Sequence, residues 1–280
     1  NKATLNSKST DYATLSTKLI TLQGAADKLR LSTSFDRTST SVSDATALSA
    51  TGSSTATAGS YSIRITQLAQ SHQITNKAGK AVAATTTDIV GGASGTFMFR
   101  VGSGENQTVT LGATATLDDL KSAINDLGAG VTAAIINTGS DTTPAYRLIL
   151  TAASTGASSA VTIVSDSTEL DFDNSSGTGG VDTLQAAQDA TVVVGDPTQN
   201  PVTLTRGSNV VSDAIPGVTL TLLKATGTST VQVGVSRDVA AVKANITALA
   251  TAYNEVAKFI NERNTYDIAT KKGGIFFNEP

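Results

Sequence analysis

Apolar residues recur at Leu5, Tyr12, Leu15, Leu19, Leu22, Ala26 and Leu29, first seven apart and then at alternating threes and fours. That spacing follows one face of an α-helix and sustains a heptad seam over three to four repeats. Only Lys8 interrupts the apolar positions, so the pattern predicts an amphipathic helix ending near Leu31. A second seam lies at the other end, at Val239, Val242, Ile246, Leu249, Tyr253, Val256 and Ile260. It predicts a helix over 238–264, with Asp238 placed to cap its first N–H groups and complement its dipole. Neither stripe is stable in water alone, and the economical arrangement packs the two as an antiparallel helical leg. An aspartate in place of Leu19 or Ile246 is then expected to unfold that leg by burying an unpaired charge.

Between the helices the period falls to two. In residues 58–66, Tyr61, Ile63 and Ile65 alternate with Ser62, Arg64 and Thr66, as in a half-buried strand. Similar runs occupy 96–101, 107–111, 131–137, 146–152, 160–165, 190–194, 218–224 and 230–235, separated by Gly, Asn, Asp and Ser. Short strands with frequent turn signals predict antiparallel sheets, in sandwiches or barrels. One helix interrupts them, with Leu117, Leu120, Ile124 and Leu127 as its stripe, Thr116 and Asp119 at capping-box spacing and Gly128 as its stop. Polar stretches at 49–60, 85–95 and 174–180 read as loops, the last two bracketing an inserted β domain.

Composition narrows the function. Of 280 residues only 15% are charged and 4% aromatic, while Ser, Thr and Ala fill about two fifths, a bias that disfavours a typical enzyme core. A net charge of -3 lacks the positive field that nucleic acid requires, and it disfavours anionic membrane surfaces likewise. The absence of cysteine excludes disulfides, thiolate catalysis and the usual structural zinc sites. No run approaches the 18 or so apolar residues of a membrane-inserted helix, and NKATLNSKST does not resemble a signal peptide. The chain opens and closes within helical patterning, which leads us to expect an excised fragment.

Chemistry is sparse. A Ser-His-Asp triad would need His72, the single histidine, yet no G-x-S-x-G elbow accompanies it and a surface histidine is the simpler reading. Asp118 and Asp119 suit a helix N-terminus, and Asp171 and Asp173 lack the glycine and glutamate of a calcium loop, so a solvated loop is expected there. Gly102 and Gly104 form G-x-G without the third glycine of a dinucleotide site and read as a hairpin turn. Arg30, Arg37, Lys77 and Lys80 are dispersed, without aromatics for base stacking. No catalytic residue, cofactor or metal follows. The helical stripes remain, as plain core or as surfaces for self-association or partner helices.

Three stretches, GSYSIRITQLAQSHQI (59–74), VVSDAIPGVTLTLLKAT (210–226) and VSRDVAAVKANITALATAYNEV (235–256), resemble the flagellar hook-associated protein 2 family, the filament cap proteins. TLDDLKSAINDLGAGVTAAIIN with YRLILTAASTGASSAVTI is similar to a module shared by flagellins and hook-associated proteins. The resemblance implies an α+β multidomain fold, with two mainly antiparallel β domains, one inserted in the other, and a coiled-coil-like leg. On this chain it places the leg at 1–35 and 237–280, the first β domain at 36–84 and 181–236, and the insert at 85–180. Compared with the family, disordered outer termini and a remaining C-terminal helix are absent from the sequence. The implied role is assembly without enzymatic activity: capping the distal filament end as a ring-shaped homo-oligomer, promoting flagellin folding and polymerisation and preventing flagellin loss. Implied partners are flagellin, other axial proteins and an export chaperone before secretion. The implied location is extracellular, at the flagellar tip, reached through the flagellar secretion apparatus without a cleaved signal peptide. The rival readings are an adhesin for host mucin or glycans, and another axial protein such as flagellin or a junction protein.

Overall fold

A computed structural model of the chain describes residues 2–31, 34–268 and 272–277. In chain order the elements are α1 (Lys2–Arg30), β1 (Thr38–Val42), β2 (Leu48–Gly52), β3 (Gly59–Gln67), β4 (Ser71–Asn76), β5 (Gly95–Val101), β6 (Gln107–Leu111), α2 (Leu117–Leu127), β7 (Val131–Asn137), β8 (Tyr146–Thr155) and β9 (Val161–Asp166). They continue with β10 (Val181–Gln185), β11 (Ala190–Val194), β12 (Val202–Arg206), β13 (Val210–Ile215), β14 (Val218–Leu222), β15 (Val231–Arg237), α3 (Val239–Arg263), β16 (Tyr266–Asp267) and β17 (Lys272–Gly273).

Alternation builds an inner β body. Ile63 and Ile65 of β3, Val218, Leu220 and Leu222 of β14, and Val231, Val233 and Val235 of β15 point into one core. A five-stranded sheet, β1-β15-β3-β11-β12, and a three-stranded sheet, β13-β14-β2, supply it. All named pairings are antiparallel. At one side the sheets are tied by threonine hydroxyls of β1, where Thr38 donates to the Ser53 carbonyl and Thr40 to the Ala50 carbonyl, both at 2.7 Å.

An outer β body has its own core, centred on Phe97, Phe99, Leu148, Leu150 and the buried face of α2. Its sheets are β10-β4-β8-β7 and β6-β5-β9. The Thr116–Asp119 capping box forms in both directions, and Gly128 ends α2 in the left-handed region at φ 59°. Asn125 then clips α2 to β7, its side chain bonding both backbone groups of Ala133 at 2.8 and 3.0 Å. Leu127, expected on the buried stripe, is 43% exposed.

Two expectations need correction. Residues 49–60 are not all loop, because β2 pairs with β14 over Leu48–Gly52; with only Leu48 fully buried, backbone bonds rather than apolar alternation define the strand. The division at 85 and 180 is also displaced. β4 and β10 pair with each other, and β4 pairs with β8, so both belong to the outer body, and the chain crosses between bodies at 68–70 and 186–189. SHQITN buries the polar Thr75 and Asn76 beside Ile74, and VDTLQ buries no residue fully, which hides both strands from an apolar pattern.

Candidate functional site

With chemistry sparse, the helical stalk is the site to build. β15 runs directly into α3 through Asp238, whose carboxylate accepts from the Ala241 N–H at 2.8 Å. α1 lies antiparallel beside α3, fixed by Lys18 to Glu255 and Arg263 to Asp11, both at 2.8 Å. The Lys18 ammonium holds the Glu255 carboxyl below its ordinary range.

The helix–helix seam, buried at Ala25, Ala252, Val256 and Phe259 and half-buried elsewhere, runs through Asp11, Leu15, Lys18, Leu22, Ala25 and Leu29 of α1, and through Val242, Asn245, Leu249, Ala252, Val256, Phe259 and Arg263 of α3. Of the residues expected to pack, Leu15, Leu22, Leu29, Val242, Leu249 and Val256 are in it. Leu5, Tyr12, Leu19, Val239, Ile246, Tyr253 and Ile260 are not; they are exposed, from 37% at Ile260 to 70% at Val239. Tyr12, Leu19, Ile246, Tyr253 and Ile260 each lie one residue beyond a seam position, so the expected stripe combined one true seam column with a flanking column. In an antiparallel pair the flanking columns of both helices fall on the same side. The outcome is an apolar flank drawn from both helices, with a groove of about 380 Å³ lined by Leu22, Ile246, Leu249, Ala250, Tyr253 and Asn254. The opposite flank differs: a groove of about 750 Å³ is floored by Ala244, Ala248 and Ala252 and edged by Lys18 and Glu255.

Because Leu19 and Ile246 are about half exposed, an aspartate at either is not buried. Its expected unfolding effect belongs to Val256 and Phe259 instead. Sequence reasoning missed Phe259, Ala252 and the charged seam positions. A signal existed in Asp11 and Arg263, opposite charges near opposite chain ends, which an antiparallel pairing of α1 and α3 brings together.

At the far end of the stalk the Arg263 guanidinium lies 3.8 Å from the Phe259 ring centroid. Phe276 folds back edge-on to Phe259 and Tyr12, at 6.3 and 5.7 Å. Only glycine fits at 274, where a Cβ would sit 2.0 Å from the Arg263 carbonyl oxygen.

The remaining candidates are structural. His72 is half-buried rather than on the surface; burial lowers its pKa, and its Nδ1 accepts from the Val161 N–H at 2.9 Å. Asp118 and Asp119 sit in the first turn of α2. Asp171 is buried, not solvated: it accepts from Ser175 and Ser176 and faces Lys80 at 3.6 Å. Among the described residues no three His, Asp or Glu side chains gather as a metal site, and no helix is long and apolar enough to cross a membrane.

Two family models bracket the outer body: the flagellar hook-associated protein 2 N-terminus matches residues 1–72 and its C-terminus residues 187–279. The fold is similar to the crystal structure of the flagellar cap protein FliD D1-D2-D3 domains from Escherichia coli, with a TM-score of 0.75 and 31% identity over 93% of this chain and 71% of that one. The chain belongs to the flagellar hook-associated protein 2 family. The Escherichia coli flagellar hook-associated protein 2 is 34% identical over 76% of this chain and 44% of its own length. The Pseudomonas aeruginosa B-type protein is 29% identical over 95% of this chain and 63% of its own. The chain thus spans about half the length of the curated relatives it matches first.

Proposed function

We propose that this protein caps the distal end of a bacterial flagellar filament. Identical copies form a ring in which the β bodies make the plate and the stalks reach down to the filament. Flagellin arriving beneath the plate folds and adds there instead of escaping. The observation that carries this reading is the open apolar flank of the stalk, between Leu5 and Leu19 on α1 and Val239 and Ile260 on α3, on a molecule whose β cores are otherwise closed. Contiguous exposed apolar surface marks an interaction site. Its heptad spacing suits helices of neighbouring axial subunits, including flagellin. No bond is made or broken in this role. The protein reaches the tip through the flagellar secretion apparatus, held beforehand by an export chaperone, without a cleaved signal peptide.

The exposed large aromatics among the described residues, Tyr12, Phe35, Tyr253, Tyr266 and Phe277, all lie on or beside the stalk. That leaves the β bodies only the half-buried Tyr61 and Tyr146 for stacking on mucin sugars, so adhesion is the weaker reading. The test is gene deletion in the source bacterium, with filaments counted and free flagellin measured before and after restoring the full-length gene. Loss of filaments with leaking flagellin, reversed on restoration, is expected. Normal filaments without leakage would sink the reading, and saturable mucin binding would then revive adhesion.

A further inference from the structure

The two β bodies are joined by more than the chain that crosses between them. The crossings lie side by side, zipped by Gln70 N–H to the Gln188 carbonyl at 2.9 Å and by the reverse bond at 3.3 Å. Glutamine side chains lace them further, Gln67 to the Asp189 carbonyl and Gln188 to the Leu68 carbonyl, at 2.7 and 3.1 Å. Two adjacent strands alone define an axis about which the outer body can swing.

A second contact lies beside the crossing, to which the tip of β8 is itself bonded by Gly156 N–H donating to the Gln70 carbonyl at 3.1 Å. The tip of β8 in the outer body meets the β12–β13 turn of the inner body, where Thr155 Oγ1 donates to the Gly207 carbonyl at 2.6 Å. Beside it Ala157 N–H donates to the Asp189 carboxylate at 2.7 Å. Asn209, two residues past Gly207, bonds both backbone groups of Ala69 at 2.8 and 3.0 Å, tying the same turn to the crossing. The backbones touch: a Cβ on Gly156 would lie 2.6 Å from Gly207 Cα and 2.8 Å from its carbonyl oxygen. The relation is asymmetric, since a Cβ on Gly207 meets nothing nearer than 3.8 Å.

We infer that the Thr155–Ala157 tip, seated on the Gly207–Asn209 turn and Asp189, is a latch that locks the two β bodies into one rigid arm. The tip adds the β12–β13 turn as a third point of attachment beside the two crossing segments, and so restricts the swing that those two alone allow. The latch consists of polar bonds and a glycine contact, and its residues belong to neither apolar core. It therefore opens without unfolding either body. While it is closed, a displacement of the stalk, continuous with β15, carries the outer body with it.

The chain has no cysteine, so Thr110→Cys on the outer body and Thr203→Cys on the inner one, both exposed, give a spin-label pair whose distance distribution reports the angle. The latch predicts one narrow peak in the parent. It also predicts at least about twofold broadening in Thr155→Ala/Asp189→Ala, which removes two bonds and adds no clash, with unchanged thermal melting. Gly156→Ala should broaden the peak likewise and Gly207→Ala should leave it narrow. Gly156 has φ 103°, so its alanine is strained independently of the latch, and the double variant decides if that protein misfolds. A parent distribution already broad, or a double variant as narrow as the parent, would overturn the latch.

Discussion

Phe259 and Ile260 are neighbours in α3, and truncating each to alanine separates the observed seam from the one that apolar spacing alone suggests. Phe259 is 5% exposed and lies beneath Arg263, whereas Ile260 is 37% exposed and faces the open flank. Buried Phe→Ala changes cost about 3–5 kcal/mol, and on a two-helix stalk with an open side we take about 3. Ile260 loses part of an isoleucine burial worth roughly 1.5–3 kcal/mol when complete, and alanine returns a few tenths as the better helix former, leaving about 1. A multidomain chain does not melt in one step, so the readout is amide hydrogen exchange within α3. At tenfold per 1.4 kcal/mol, Phe259→Ala should speed exchange roughly a hundredfold and Ile260→Ala about fivefold. Equal acceleration, or a larger one from Ile260→Ala, would refute the seam assignment.

Thr116→Ala removes one side of the α2 capping box and should destabilise the outer body by about 1 kcal/mol, read as a lower urea midpoint. Leu19→Asp should leave helicity and stalk exchange near the parent's, in contrast to Val256→Asp, which places a carboxylate in the seam and should melt it. The Asp171 carboxyl is held down to about 2, first by the Ser176 hydroxyl, so its stabilising contribution is present above the ordinary carboxylate range and is lost as pH falls through about 2. Asp166 is pushed up by burial and has the opposite sign: its contribution is present in acid and is lost as pH rises through its folded value. Asp171→Asn should therefore flatten the acid limb of outer-body stability, measured by urea unfolding at stepped pH.

Much of the fold is legible where burial is one-sided. β3, β5 and β15 alternate cleanly, β7 and β8 in part, and α2 announces both ends through Thr116 and Gly128. The strands β1, β4 and β10 do not, because TSTSV, SHQITN and VDTLQ are held by backbone pairing and side-chain hydroxyl or amide bonds rather than by apolar faces. The stalk shows why periodicity alone misplaces a seam. Apolar residues mark every surface that some partner covers, and on α1 and α3 they mark a flank as well as the helix–helix contact. The true seam admits Asp11, Lys18 and Arg263, whose placement makes sense only once the opposite helix is known. The latch at Gly156 and Gly207 was not legible at all, since its glycine contact and its single hydroxyl and carboxylate bonds join segments 51 residues apart and leave no apolar pattern.

The central claim is that the open flank of the stalk engages the filament so that the cap retains flagellin. Its most direct test restores the deletion strain with the full-length gene carrying Leu19→Asp and Tyr253→Asp together, and measures free flagellin in the medium. Both positions are exposed, so the variant should fold and be secreted at parental levels while flagellin still leaks and filaments stay short. Filaments of normal length with no leakage would contradict the account, because the flank would then be dispensable for capping.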